Sequence, residues 1–145
     1  MAPFRAAGAF ALALTAPWLW TATASADASA QLGPVPVSPS PTCGGNVRAD
    51  AQMVPVQIGG RLDDGVRVAI NYDAGIYDGS CVLTVTATWK NLDTGASGSD
   101  DITAVSRIDG HYGFIGYANA TFATGSGTVV VTLSSHPGEE LRITA

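Results

Sequence analysis

Residues 81–90, CVLTVTATWK, decide the fold of this chain. Apolar side chains alternate strictly with threonines and other polar groups along this stretch, and the apolar set is Cys81, Leu83, Val85, Ala87 and Trp89. A period of two is typical of a β-strand with one face in a core. Because Cys81 and Trp89 share the apolar side, we expect both to face the core.

Shorter runs of the same kind lie on both sides of this strand, separated by turns rich in glycine and aspartate. They predict strands at 54–58, 66–72, 102–108, 112–122, 129–133 and 141–143, with a turn at 59–65. Pro55 favours a sheet edge for the first of them. Asp109-Gly110 signals a hairpin.

No helical period is found after residue 30. Short antiparallel strands with one polar face each therefore predict an all-β fold, an antiparallel Ig-like β-sandwich of about seven strands. A small β-barrel is the alternative.

The first 30 residues have the layout of a secretory signal peptide. Arg5 precedes an uncharged apolar run, and a tract of small residues follows it. This order predicts export with cleavage after Ala26 or after Ala30. No later apolar run reaches the roughly 20 residues of a spanning helix, so we expect no membrane span in the mature form. Abundant alanine and glycine with a single lysine, Lys90, suggest a bacterial source.

The mature chain divides into an arm and one domain. Residues 31–42 contain four prolines and predict an extended Pro-rich arm that acts as a spacer. Residues 43–145 form the predicted β-sandwich domain. The two cysteines, Cys43 and Cys81, predict one disulfide in an oxidising compartment. The location expected from these features is secreted, with the cell envelope as a second possibility.

Charge narrows the classes of partner. The chain carries 12 acidic and 7 basic residues, a formal net charge of −5. Its basic residues are not clustered, so we expect no nucleic-acid partner, since binding the phosphate backbone requires grouped Lys and Arg.

The residues that could carry catalysis or bind metal are scattered. His111 and His136 fall in turns and are interpreted as solvated, and no Gly-x-Ser-x-Gly elbow is present. Neighbouring acidic residues in turns splay apart, and their spacing does not match a calcium loop. We therefore predict no catalytic residue, no metal site and no cofactor.

A binding site is predicted at the loop 73–80, which ends at the expected disulfide. Ile76 and Tyr77 place large side chains where strand parity gives them no role in the core, and Asp73 and Asp78 flank them. Loops on a rigid β scaffold commonly carry recognition, and tyrosine is frequent among interface anchors.

Three segments resemble the secreted actinomycete α-amylase inhibitors of the tendamistat type. They are Pro41-Thr42-Cys43, Gly79-Ser80-Cys81 running into Thr84-Val85-Thr86, and Asp109 to Gly116, which reads DGHYGFIG. The resemblance implies a small secreted β-sandwich that inhibits a hydrolase. The Trp-Arg-Tyr recognition triplet of that family is missing here, and only one cysteine pair is present.

Three functional hypotheses follow. The first is a secreted, non-enzymatic protein that binds an extracellular protein or a cell-surface glycan. The second is a secreted inhibitor of an extracellular hydrolase. The third is a small secreted enzyme or a subunit of a surface assembly.

Overall fold

A computed structural model describes residues 28–75, 79–109, 112–114 and 116–144 of the chain. Within these residues the protein is built of strands without helices. The strands are β1 Ser29–Val37, β2 Gly45–Ile58, β3 Arg61–Ala74, β4 Gly79–Asn91, β5 Ser97–Asp109, β6 Tyr112–Phe114, β7 Gly116–Phe122, β8 Thr128–Leu133 and β9 Glu140–Thr144. The described part of the chain thus contains no helix long and apolar enough to cross a membrane.

The strands form two antiparallel sheets packed face to face. The four-stranded sheet has the order β1-β2-β3-β7, and the five-stranded sheet has the order β6-β5-β4-β8-β9. Their facing side chains form one core of mainly valine, isoleucine, leucine and alanine. The all-β sandwich predicted from the sequence is confirmed. The described residues contain nine strands rather than about seven, because β1 was not expected and the run 112–122 is divided in two.

Strand β4 lies inside the five-stranded sheet, between β5 and β8. Its apolar alternation faces the core as the sequence predicts, with Cys81 and Val85 buried. Trp89 differs from the expectation, because it is only half-buried at the end of the strand. Its indole ring packs against Phe122 of the opposite sheet, with the ring centroids 6.4 Å apart.

The predicted disulfide is present and joins the two sheets. Cys43 precedes β2 of one sheet, and Cys81 begins the apolar face of β4 in the other, 38 positions later. The hydroxyl of Tyr72, a fully buried residue of β3, donates a hydrogen bond to the Cys43 carbonyl. Burial raises the pKa of Tyr72 by desolvating the phenolate. The disulfide and this hydrogen bond together fix the chain where it enters the sandwich.

The Pro-rich segment is part of the fold, so the interpretation of 31–42 as a spacer is wrong for its first half. Residues 29–37 form the edge strand β1 and pair with β2 from Ser29↔Gln52 to Val37↔Gly45. Edge strands tolerate proline because one side of their backbone needs no partner. The register shifts between Leu32 and Val35, which forms a bulge at Gly33 and Pro34.

His136 holds this bulge, and its interpretation as a solvated residue is wrong. It is only 1% exposed, in the turn between β8 and β9. Its Nε2 lies 3.0 Å from the Gly33 carbonyl oxygen and its Nδ1 lies 2.8 Å from Ser135 Oγ. Because a carbonyl oxygen only accepts, Nε2 carries a proton and donates it. His136 therefore fixes the edge strand to the opposite sheet.

The chain changes sheets between β6 and β7. Strand β6 pairs with β5, whereas β7 pairs with β3 of the other sheet. At the crossing, a Cβ atom on Gly116 would lie 2.7 Å from the backbone carbon of Val105, closer than real Cβ atoms approach. Only glycine fits there. Side chains alternate between the two faces along β7, so Phe122 faces the core and Tyr117 faces solvent.

Candidate functional site

The loop predicted as the binding site is shorter than 73–80. Strand β3 continues to Ala74 and β4 begins at Gly79. Asp73 is an exposed residue of β3, paired with Asn46 of β2. Ile76, Tyr77 and Asp78 lie outside the described residues. Just before these residues, the Gly75 amide donates a 3.0 Å hydrogen bond to the Gly44 carbonyl.

Next to this loop, polar side chains cover the outer face of the four-stranded sheet. The register places Arg48 of β2 beside Asn71 of β3, and Asn71 beside Tyr117 of β7, in one row across the sheet. Asn46 and Asp73 form the next row towards the loop. Side chains at directly opposed positions in antiparallel strands lie on the same face, so these residues form one continuous surface.

A hollow of about 470 Å³ opens in this surface, and we call it the polar hollow. It is lined by Pro34, Asn46, Arg48, Asn71 and Asp73. This volume is within the range of about 300–1,000 Å³ that is usual for small-molecule sites. Pro34 reaches the hollow because the bulge in β1 carries it there, and His136 holds that bulge from the other side.

The side chains of the polar hollow have unused hydrogen-bonding capacity. Throughout the described ranges, the side chains of Asn46, Arg48, Asn71 and Asp73 have no hydrogen-bond or ion-pair partner. Arg48 and Asp73 are diagonal neighbours of opposite charge, yet they do not pair. Two amides, a guanidinium and a carboxylate therefore surround one hollow with their donors and acceptors available to a ligand.

Tyr117 adds an aromatic surface to the same face. It is 56% exposed, although it lies in a strand beside Asn71. Its hydroxyl oxygen accepts a 3.4 Å hydrogen bond from the amide nitrogen of Asn119. This contact restrains the ring on the sheet surface. Tyrosine is suited to binding because one side chain offers an apolar ring and a polar hydroxyl.

At the opposite end of the molecule, residues 54–65 form a protruding two-stranded ribbon, which we call the ribbon. The turn predicted at 59–65 is wrong. Only Gly59 and Gly60 form the turn, and β3 begins at Arg61. Both glycines have positive φ, 58° and 81°. A two-residue turn of this kind matches the twist of a hairpin. The neighbouring strands end before the ribbon, at the pairs Ser29↔Gln52 and Val66↔Phe122.

The ribbon exposes apolar side chains on both of its faces. Leu62 is 73% exposed on one face and Ile58 is 45% exposed on the other. Pro55 has no amide hydrogen on the free edge of β2, which lowers the tendency of that edge to pair with another strand. On the β3 edge, the Asp64 carbonyl accepts from the Gly125 amide. The side chains are therefore the part of the ribbon best suited to contact a partner.

A serine and a histidine lie in contact at residues 135 and 136. A nucleophilic triad has its histidine oriented by a carboxylate. In His136, the second ring nitrogen is bound to the Gly33 carbonyl instead, and the ring is buried. Across the described residues, no group of three or more His, Cys, Asp and Glu side chains is placed to hold a metal ion.

Of the residues in the polar hollow, only Asp73 was predicted as a site residue. Asn46 and Arg48 were missed because residues 45–53 were not recognised as a strand, and Asn71 was missed because the sequence does not show which side chains lie beside it across the sheet. The signal was available, since Val47, Ala49 and Ala51 alternate with polar residues there. What the sequence could not indicate was that this strand lies beside β3 in the register that brings these side chains together.

Comparison of the chain with protein-family models, with curated proteins and with solved structures gives no significant match.

Proposed function

We propose that this protein is a secreted, non-enzymatic binding protein that recognises an extracellular protein or cell-surface glycan at the polar hollow. The observation that carries the proposal is the convergence of Asn46, Arg48, Asn71 and Asp73, all without internal partners, around one hollow beside exposed Tyr117. The sequence also predicts Ile76, Tyr77 and Asp78 as binding residues, in the segment that follows Asp73 along the chain. The sheet fixes the backbone positions of these side chains before the ligand arrives, which lowers the entropy lost on binding.

The test is a comparative pull-down with the purified, disulfide-bonded domain. Culture medium and cell-wall fractions are passed over the native protein, the Arg48→Ala variant and the Tyr77→Ala variant. A ligand of the hollow is retained by the native protein and lost from both variants at unchanged melting temperature. Arg107→Ala, on the exposed face of β5, is the matched control and should retain the ligand. Equal retention by all four proteins would contradict the proposal.

Export is the second part of the proposal. The sequence of the first 30 residues and the disulfide both support an oxidising compartment outside the cytoplasm. Of the two cleavage positions, the one after Ala26 leaves β1 whole, whereas cleavage after Ala30 would remove Ser29 and its pairing with Gln52. Intact-mass analysis of protein recovered from the medium should give a chain that begins at residue 27. A mass that includes residues 1–20 would contradict export.

A second function, inhibition of an extracellular hydrolase, is favoured by the ribbon. Two aliphatic side chains project from opposite faces of a hairpin whose turn is held by two glycines. The base is also fixed, because Asp64 Oδ2 accepts a 2.7 Å hydrogen bond from Ser126. A rigid projection of this kind suits insertion into an enzyme cleft, since little order has to be gained on binding.

Assays of secreted amylases and proteases with added protein test this second function. Inhibition should weaken at least tenfold in Leu62→Ser, as for a central interface anchor. Val105→Ser is the control, because Val105 is a similarly exposed aliphatic residue on the five-stranded sheet. No inhibition of any enzyme in the panel would remove this function and would leave the first proposal unaffected.

The enzyme alternative makes a different prediction at Ser135. If the contact with His136 activated this serine, a fluorophosphonate would label it covalently. We expect no labelling, because His136 is oriented by a backbone carbonyl and offers no carboxylate-supported base. A labelled peptide that contains Ser135 would make the protein a hydrolase.

A further inference from the structure

We infer that the polar hollow binds an uncharged carbohydrate, with the ring of Tyr117 as a stacking surface for a sugar. The inference rests on the proposed function and names the class of its ligand. It is drawn from four properties of the site: its hydrogen-bonding groups, its charge balance, its apolar surfaces and its position on the face of a sheet.

The hydrogen-bonding groups suit hydroxyls. Asn46 and Asn71 each offer a donor and an acceptor, Arg48 offers only donors and Asp73 offers only acceptors. A sugar hydroxyl both donates and accepts, so neighbouring hydroxyls can use all four groups at once. The two rows Arg48↔Asn71 and Asn46↔Asp73 place these groups on adjacent positions of β2 and β3. Neighbouring hydroxyls of one sugar ring are close enough to meet them together.

The charge balance argues against an ionic ligand. Arg48 and Asp73 line the same hollow, so its formal charges cancel. An anionic polymer would be attracted by Arg48 and repelled by Asp73, and its approach would also be opposed by the chain's net charge of −5. A cationic ligand would be attracted by Asp73 and repelled by Arg48. An uncharged ligand can hydrogen-bond to both side chains without an unfavourable charge contact.

Two apolar surfaces flank the polar groups. Tyr117 lies in the row of Arg48 and Asn71 and presents its exposed ring on the same face. The Pro34 ring lines the hollow on the side of β1. Sugars have apolar C–H faces as well as hydroxyl edges, so an aromatic ring beside hydrogen-bonding groups can contact both parts.

The position of the hollow disfavours an extended peptide as the ligand. Peptides that bind to sheets usually add a strand at an open edge, where backbone groups are free. The hollow lies on the face formed by β2 and β3, whose backbone groups are paired with each other and with β1 and β7. On β2 and β3 only side chains are available to a ligand, which favours a ligand that is rich in hydroxyls.

The experiment uses the full mature protein with its disulfide intact. The probes are neutral polysaccharides, namely cellulose, chitin, starch, xylan, mannan and galactan, tested by sedimentation or affinity electrophoresis. Polygalacturonate and heparin are the charged comparison. The matching oligosaccharide is then titrated by calorimetry into the native protein and into Arg48→Ala, Asn71→Ala, Tyr117→Ala and the control Arg107→Ala.

We expect at least one neutral polysaccharide to bind. Arg48→Ala, Asn71→Ala and Tyr117→Ala should each lose about tenfold in affinity, as for one hydrogen bond or one stacking contact. The Arg107→Ala control should bind as the native protein does, and all four variants should keep the native melting temperature.

Three results would overturn the inference: no binding to any neutral polysaccharide, binding to the charged polymers alone, or equal affinity in all variants. The proposed function is judged separately. A protein ligand that is retained by the native chain and lost from Arg48→Ala would support the proposed binding function and would contradict the inference that the ligand is a carbohydrate.

Discussion

Asn91 is the buried polar residue whose loss should destabilise the fold most. It lies at the end of β4 and is fully buried. Its side-chain nitrogen donates to the carbonyl oxygens of Thr124 and Ser126, both at 2.9 Å. Its side-chain oxygen accepts from the amides of Asp93 at 2.9 Å and Thr94 at 3.2 Å. One side chain therefore organises the β4–β5 turn and joins it to the β7–β8 loop.

Four hydrogen bonds give the magnitude of the effect. At roughly 0.8–1 kcal/mol each, near the centre of the usual range for one hydrogen bond, their loss in Asn91→Ala should lower the free energy of unfolding by about 3–4 kcal/mol. With a urea m-value of about 2 kcal/mol/M, the unfolding midpoint should fall by about 1.5–2 M at an unchanged slope. Asn91→Asp keeps the acceptor atom but places a second oxygen towards two carbonyl oxygens, so it should destabilise at least as much.

Urea denaturation monitored by circular dichroism measures both variants. Thr88→Ala is the control, because Thr88 is exposed on β4 and should change stability by less than about 0.5 kcal/mol. A loss below about 1 kcal/mol in Asn91→Ala, or native stability in Asn91→Asp, would refute the hydrogen-bond network as the cause.

Three further predictions concern the core and its bonds. Replacing both Cys43 and Cys81 by alanine should lower stability by about 4 kcal/mol, the chain-entropy value for a 38-residue loop, and an unchanged urea midpoint would contradict it. Burial raises the pKa of Tyr72, so its stabilising contribution is present below pH about 10 and is lost as pH rises through the raised folded value. In Tyr72→Phe, the alkaline decline in melting temperature should therefore be shallower, and an identical decline would exclude Tyr72 as its source. Trp89→Ala should cost about 2–3 kcal/mol, less than a fully buried tryptophan, because the ring is half-buried against Phe122, and indole fluorescence typical of a fully solvated ring would contradict this packing.

The fold class could be read from the sequence because it depends on local patterns. The alternation in residues 81–90 requires a strand with one buried face, whatever its neighbours are. The same argument predicted the short last strand at 141–143, and its Leu141 and Ile143 are buried. The disulfide was equally accessible, because only two cysteines are present and Cys81 lies on the apolar side of its strand.

Two segments rich in proline or glycine differ from their predicted conformation, because pairing with a neighbouring strand outweighs local preference there. Four prolines indicated a spacer over 31–42, yet β2 offers a free edge that accepts a proline-containing strand. Residues 61–65 contain Gly65 and two aspartates and were interpreted as a turn, although they pair residue by residue with 54–58. In both segments, pairing with the neighbouring strand decides the conformation.

The sequence by itself determined that this is an all-β chain with one disulfide. The alternation of apolar residues can be read within a single segment, and the number of cysteines can be read from the composition of the chain. Only the tertiary structure decided where a ligand could bind. Asn46 and Asp73 are 27 positions apart, and Tyr117 follows much later, yet the register of β2, β3 and β7 places them on one surface. A register is set by the packing of all the strands around a common core, so no single segment contains it.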